Sequence, residues 1–220
     1  MKDKVINRCE RKTTLTIDAR YIAALSLFCG DAEYREYFGG ICFEVGYTES
    51  RLVATNGDIL AVARIQENTK NFIFPILNMT VPVHLFESIK PSGMVKIEIG
   101  EQILRYSSDG TEIMSNHYPV TVTYDGLTIS GNSLDTPFPN WRKVVPKKVS
   151  GEIAQFNPNY IGMLGKVQEI LNPDVDATFV GIGHNGKGPA LVEFSDRNFI
   201  AVVMPTTHEA PSTAPDWCHD

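Results

Sequence analysis

The sequence of 220 residues is 43% hydrophobic and 21% charged, a composition rich enough in apolar residues for a buried core, which excludes a wholly disordered chain. Twenty Lys and Arg against 26 Asp and Glu leave a net charge of −6. That balance argues against holding nucleic acid by bulk attraction, which needs cations to displace counterions from phosphates. No apolar run approaches the roughly 18 residues of a membrane span and no basic-then-apolar leader is present, so a cytoplasmic location without membrane contact is expected.

Residues 1–12, with Lys2, Lys4, Arg8, Arg11 and Lys12, read as a solvated N-terminal arm. Leu15-Thr-Ile17 predicts a short strand, and Asp18 is placed to cap a helix striped by Tyr21, Ile22, Leu25, Phe28 and Cys29 and stopped at Gly30. Strands are predicted over Gly40–Val45, Arg51–Thr55 and Ile59–Ala63, the last two joined by the tight-turn signal Asn56-Gly57-Asp58. This first unit is a strand, a helix and three antiparallel strands.

A second unit opens with a strand over Met79–Val81. Pro82 then starts a predicted helix through Leu85, Phe86 and Ile89, and Pro91-Ser92-Gly93 stops it. Strands over Val95–Ile99, Ile103–Tyr106 and Thr111–Met114 follow, and Tyr118 to Gly131 adds strand-like alternation with no assigned place in the repeat. The third unit has a strand over Ile153–Phe156, Asn157 as cap, Pro158 at the first helical position and a stripe of Tyr160, Ile161, Leu164, Val167 and Leu171. Its strands are expected over Ala177–Ile182, Ala190–Phe194 and Phe199–Val203. Residues 207–220, rich in Pro, Ser, Thr and Ala, predict a disordered tail.

Gly181 to Gly188, "GIGHNGKG", contains Gly-x-Gly-x-x-Gly, but a phosphate loop needs a helix directly after its glycines. Pro189 and the alternating apolar residues that follow predict a strand instead, so the stretch reads as a hairpin loop, and a nucleotide-using enzyme would rest on it alone. Cys9, Cys29, Cys42 and Cys218 lack a paired spacing and read as core or free thiols. A zinc site from His208, Cys218 and His219 would fall in a tail with no fold signal. His84, His117 and His184 fall on separate elements, so the chain is expected to be no enzyme and to need no metal or cofactor.

Three stretches together resemble the bacterial sliding clamp, the beta subunit of DNA polymerase III. "REYFGGICFEV" with "RLVATNGDILAVARI" is similar to that family's middle domain, and "FPNWRKVVPK" resembles its link between middle and last domains. "FNPNYIGMLGKV" and the terminal "AVVMP" resemble the second half of the last domain. The resemblance implies an α+β fold of DNA-clamp-like repeats, each one helix packed on antiparallel sheet. Residues 13–148 would be a domain like the family's middle one, and 149–206 a partial domain like the second half of the last. The family's first domain has no counterpart in this sequence. Because family rings close with six domains, such a reduced chain would need three copies if Tyr118 to Pro146 hides a fourth repeat, or four if it does not.

The resemblance also implies a groove that takes a short apolar peptide from polymerases or other replication proteins. Its walls would be Thr55, Gly57, Leu60, Pro139, Val144, Val202, Val203, Met204 and Pro205, with Asp58-Ile59 standing where the family has His-Arg. Double-stranded DNA without sequence specificity is a further implied partner, with Arg20, Lys90, Arg142, Lys143, Lys147, Lys148 and Lys166 as candidate contacts. Two readings stay open: a processivity or tethering factor that encircles DNA as a homo-oligomer, with a mobile-element origin suggested by its size, or a clamp-fold module that captures peptides without encircling it.

Overall fold

The computed structural model describes residues 5–6, 12–46, 48–66, 77–102, 104–106, 112–114, 117–174 and 180–207. The expected arm over 1–12, the expected tail and the zinc candidates His208, Cys218 and His219 therefore lie almost wholly outside the described residues.

After β1 (Val5–Ile6), β2 (Lys12–Asp18) alternates as a half-buried strand should, with Thr13, Leu15 and Ile17 inward. Asp18 caps α1 (Ala19–Ser26), its carboxylate accepting from Arg20 N at 2.9 Å. The meander β3 (Gly40–Val45), β4 (Glu49–Thr55) and β5 (Ile59–Gln66) completes the first repeat as expected.

The second repeat opens with β6 (Leu77–Pro82), but the helix expected through Ile89 is only a 3₁₀ turn, Val83–Phe86. Whereas Asp18 caps the equally short α1, the stretch between Pro82 and Pro91 starts on Pro82, which offers no side-chain cap. It takes a tighter bond instead, Ile89 N donating to Phe86 O at 3.0 Å. β7 (Met94–Gly100) follows. The expected strands at 103–106 and 111–114 exist as β8 (Leu104–Tyr106) and β9 (Glu112–Met114), yet they pair with each other and with β1, outside the repeat's sheet. Their place is taken by the unassigned segment, which forms β10 (Pro119–Tyr124) and β11 (Leu127–Asn132). Residues 118–132 thus complete the second repeat and are no fourth one.

In the third repeat the expected strand over 153–156 is reduced to a single bridge between Gln155 and Thr206. α2 (Pro158–Leu171) is capped by Asn157 with Pro158 in its first turn. β12 (Gly181–Gly183), β13 (Ala190–Glu193) and β14 (Phe199–Val203) follow, and the glycine loop is the connection between the antiparallel β12 and β13. Residues 177–179 of the strand expected there lie outside the described residues.

Among the described residues the strands form three sheets, ordered β12-β13-β14-β5-β4-β3-β6, β11-β10-β7-β2 and β1-β8-β9. The first two repeats exchange their opening strands: β2 pairs with β7 of the second repeat, and β6 pairs with β3 of the first. The third repeat adds its strands to the β5 edge, so the largest sheet runs from the first repeat into the last. One core holds Ile22 and Leu25 of α1 with Leu164, Val167 and Leu171 of α2. The helices are tied by Arg20, whose Nη1 donates to Leu171 O at 2.8 Å at the negative end of α2. Gln168, fully buried, donates from Nε2 to Ser195 Oγ at 2.9 Å and accepts from Ser195 N at 3.1 Å, which pins the β13–β14 turn to α2.

Candidate functional site

The tip between β4 and β5 is built by its own side chains. Thr55 Oγ1 donates to Ile59 O at 2.8 Å and accepts from Gly57 N at 3.1 Å, while Asn56 Oδ1 accepts from Asp58 N and Ile59 N, both at 3.1 Å. Gly57 has φ +103°, and a Cβ there would stand 3.1 Å from the Phe38 ring, so backbone conformation and space both call for glycine. β14 lies against this hairpin with Val202 opposite Leu60, and Met204 N donates to Asp58 O at 2.8 Å. Tyr160 of α2 holds the tip from the other side, donating to Asp58 Oδ2 at 3.0 Å.

The link after residue 137 forms the third side. Its 3₁₀ turn, Trp141–Lys143, lies on the sheet face that buries Cys42, Val53, Leu60, Val62 and Val202, and the Trp141 ring closes that small core. Glu44 of β3 fastens the turn: it accepts from Trp141 Nε1 at 2.9 Å and from both Arg142 terminal nitrogens at 2.8 and 2.6 Å. The Arg142 guanidinium also sits 4.3 Å from the Trp141 ring centroid.

Burial alone would raise the pKa of Glu44, but hydrogen bonds from Arg142 and Trp141 and the charges of Arg142 and Arg51 outweigh it and hold the carboxyl below its ordinary 4.5. A depressed folded-state value means that this stabilisation is complete above pH 4.5 and is lost as pH falls through the folded value. Glu44→Gln is expected to lower stability at neutral pH and to flatten the loss of stability below pH 4.5. Urea unfolding at stepped pH measures both, and an acid slope equal to that of the unsubstituted protein would count against this assignment.

Hairpin tip, link and strand end converge on an open apolar cleft of ≈180 Å³. Of the groove residues expected from the sequence, Thr55, Gly57, Leu60, Pro139, Val144, Val202 and Met204 line it. Val203 does not: strand alternation turns it to the opposite face, into the main core. Pro205 is also outside the wall. Asp58 and Ile59, expected at the groove in place of the family's His-Arg, line it too, and Tyr37, Phe38, Asn140 and Trp141 line it without having been picked out from the sequence. Tyr37 and Phe38 arrive on the loop after α1, where Gly30 N donates to Phe38 O at 2.9 Å, and Tyr37 packs edge-on against Phe138 at 5.6 Å. Val144 and Met204 are 41% and 40% exposed at the mouth, so neither is sealed in a core.

The candidate DNA contacts divide into two groups. Arg20 is engaged by the Asp18 carboxylate and Leu171 O, and Arg142 by Glu44, so both guanidinium groups hold structure. Lys90, Lys143, Lys147, Lys148 and Lys166 are exposed. The outer face of α2 presents Asn159, Ile161, Gly162, Lys166 and Glu169, one cation against one anion. Cys29 and Cys42 are free thiols, and burial pushes Cys29 up to about 12, which keeps it protonated and unreactive. Among the described residues, no group of three or more His, Cys, Asp or Glu side chains is placed to hold a metal, and no helix is long and apolar enough to cross a membrane.

Solved structures that share this architecture are bacterial sliding clamps. A putative DNA polymerase III beta subunit from Eubacterium rectale matches with a TM-score of 0.66 at 12% identity, over 93% of this chain and 68% of its own. The Bacillus subtilis DNA polymerase sliding clamp matches with a TM-score of 0.66 at 12% identity, over 93% of this chain and 67% of its own. The Pseudomonas aeruginosa sliding clamp solved with a ligand gives 0.62 at 16%, over 89% and 66%. The chain has the sliding-clamp fold and spans about two thirds of the length of these clamps. No family model and no curated protein sequence matches it.

Proposed function

We propose that the chain acts as a sliding-clamp-like tether that holds replication proteins through a short apolar peptide seated in this cleft, without chemistry of its own. The observation that carries the reading is the convergence of the Thr55–Leu60 tip, the Pro139–Val144 link and the Val202–Met204 strand end on one apolar cleft. These stretches are far apart in sequence, and the cleft is below the roughly 300 Å³ of a typical small-molecule site, a size suited to one or two side chains such as Leu and Phe. Each such side chain contributes about 1.5 to 3 kcal/mol on burial. The clamp fold supports the same reading.

Met204→Ala is expected to weaken binding of a Leu/Phe-rich peptide by about 1 to 3 kcal/mol, because it removes a wall of the pocket that desolvates the anchor. Unfolding stability should stay within about 0.5 kcal/mol, since the side chain is partly exposed at the mouth. Titration calorimetry and urea unfolding on the same variant check the two together. Unchanged affinity, or a large loss of stability with no binding to lose, would remove the cleft from the proposal.

A second reading, a module that captures peptides without encircling DNA, is favoured by the near-neutral outer face of α2. On a count of three repeats, a ring like the family's would need four copies. Retention on circular but not linear DNA, with a stable oligomer in sedimentation, would favour encirclement through the exposed lysines; a monomer at micromolar concentration would favour the module.

A further inference from the structure

The apolar cleft ends at Pro139, and a second cavity of ≈430 Å³ begins at Phe138. The two are separated by the Tyr37–Phe138 ring pair, whose centroids are 5.6 Å apart. Strand register places both on one face of the large sheet: Thr80 lies opposite Cys42, Cys42 opposite Val53 and Val53 opposite Val62, a row that includes the small core under Trp141. The segment 133–138 closes the second cavity, held to β6 by Leu134 N donating to Thr80 O at 2.8 Å.

The chemistry of this cavity differs from that of the cleft. Asn78, Gln102, Ser133, Asp135 and Thr136 give it acceptors, Asp135 gives it a negative charge, and no Lys, Arg or His lines it among the described residues. Thr80 also lines it, is 1% exposed, and has a hydroxyl with no hydrogen-bond partner among the described residues. A buried hydroxyl without a partner is unfavourable, so the wall carries unmet polar demand. Glu36, whose carboxylate accepts from Thr136, places a second anion beside it, and Asp58 puts a third on the rim of the cleft. An anionic ligand would meet carboxylates and no counter-charge, whereas a guanidinium or ammonium group finds a carboxylate and several neutral acceptors.

We infer that the polar cavity takes an Arg or Lys side chain of the same peptide whose apolar residue fills the cleft, so that the preferred partner carries a basic residue a few positions from its Leu or Phe anchor. This rests on the peptide reading above and adds the partner's charge to it. The Tyr37–Phe138 ring pair is the wall the two sites share, and an extended peptide advances about 3.3 Å per residue, so the basic residue is placed two to four positions from the anchor.

Fluorescence-labelled Leu/Phe peptides with Arg placed two to four positions before or after the anchor, and the same peptides with Gln in its place, test the inference by anisotropy on the full chain. The expected result is a preference for Arg over Gln of about fivefold at low salt at one of these positions, reduced by added salt. Asp135→Asn should abolish the preference and leave the Gln peptide's affinity as it was. Thr80→Val should also lower the preference while leaving the protein no less stable, because the hydroxyl it removes has no partner to lose. Equal affinity of Arg and Gln peptides at every position, or an Arg preference that survives Asp135→Asn, would overturn the inference and leave the apolar cleft standing. Binding of neither series would overturn both.

Discussion

Trp141→Ala is expected to lower the free energy of unfolding by about 3 to 5 kcal/mol and to remove peptide capture at the same time. The ring is 8% exposed and is the lid of the small core that holds Cys42, Val53, Leu60, Val62 and Val202. Its truncation would uncover apolar surface on a sheet face that Phe138 and Val145 of the link cover only in part, at about 25 cal/mol per Å². It would also delete the indole N–H that reaches Glu44 and the ring on which Arg142 lies, so the link would lose one of its three hydrogen bonds to Glu44 of β3 and the support under the other two. Trp141 is itself a wall of the cleft, and the positions of Pro139 and Val144 depend on the turn it anchors. Trp141→Phe separates these effects: it keeps a six-membered ring over the small core and loses the hydrogen bond to Glu44, about 1 kcal/mol, with the pyrrole part of the ring. Denaturation followed by circular dichroism is the appropriate measurement, because the substitution removes a fluorophore. If Trp141→Ala kept full affinity for the peptide, the link would be a cover and not a wall.

What the sequence made legible divides along the range of the interactions involved. The caps Asp18 and Asn157 and the Thr55–Ile59 tip are set by hydrogen bonds between residues two to four apart, and each was readable in place. Pairing across distance was not. β8 and β9 alternate as well as β10 and β11 do, and only the sheet they join decides which pair completes the repeat. Alternation could have excluded Val203 from the groove, since Val202 and Val203 are consecutive on a strand; the apolar run concealed the choice of face. Trp141, Tyr37 and Phe38 reach the cleft on short 3₁₀ turns, too brief for periodicity to mark the buried side. The carboxylate of Glu44 meets the link 97 and 98 residues away, a contact that no spacing rule could suggest. For the same reason Arg142 reads as a free cation in the sequence and is a fastened one in the fold.

Phe199→Ala is expected to cost about 3 to 5 kcal/mol and to lower the melting temperature of the whole chain in a single transition. Phe199 is fully buried on β14, with its ring centroid 6.4 Å from that of Tyr21, 6.1 Å from Phe28 and 5.3 Å from Phe194. Two of those rings belong to the first repeat and one to the third, so the cavity left by truncation would open where the repeats meet. β14 also pairs with β5 over five residues from Phe199 to Val203, and Tyr21 donates across the same junction to Asp196 Oδ2 at 2.7 Å. With a continuous sheet, a shared core and side-chain bonds all crossing at this point, the third repeat has no boundary along which to unfold alone. For a chain of this size, 1 kcal/mol corresponds to about 2 to 4 °C, so a shift on the order of 6 to 20 °C is expected in scanning calorimetry. A calorimetric trace with two transitions, of which Phe199→Ala moved only the smaller, would show that residues 149–206 unfold as a separate unit and that the large sheet does not couple them to the rest.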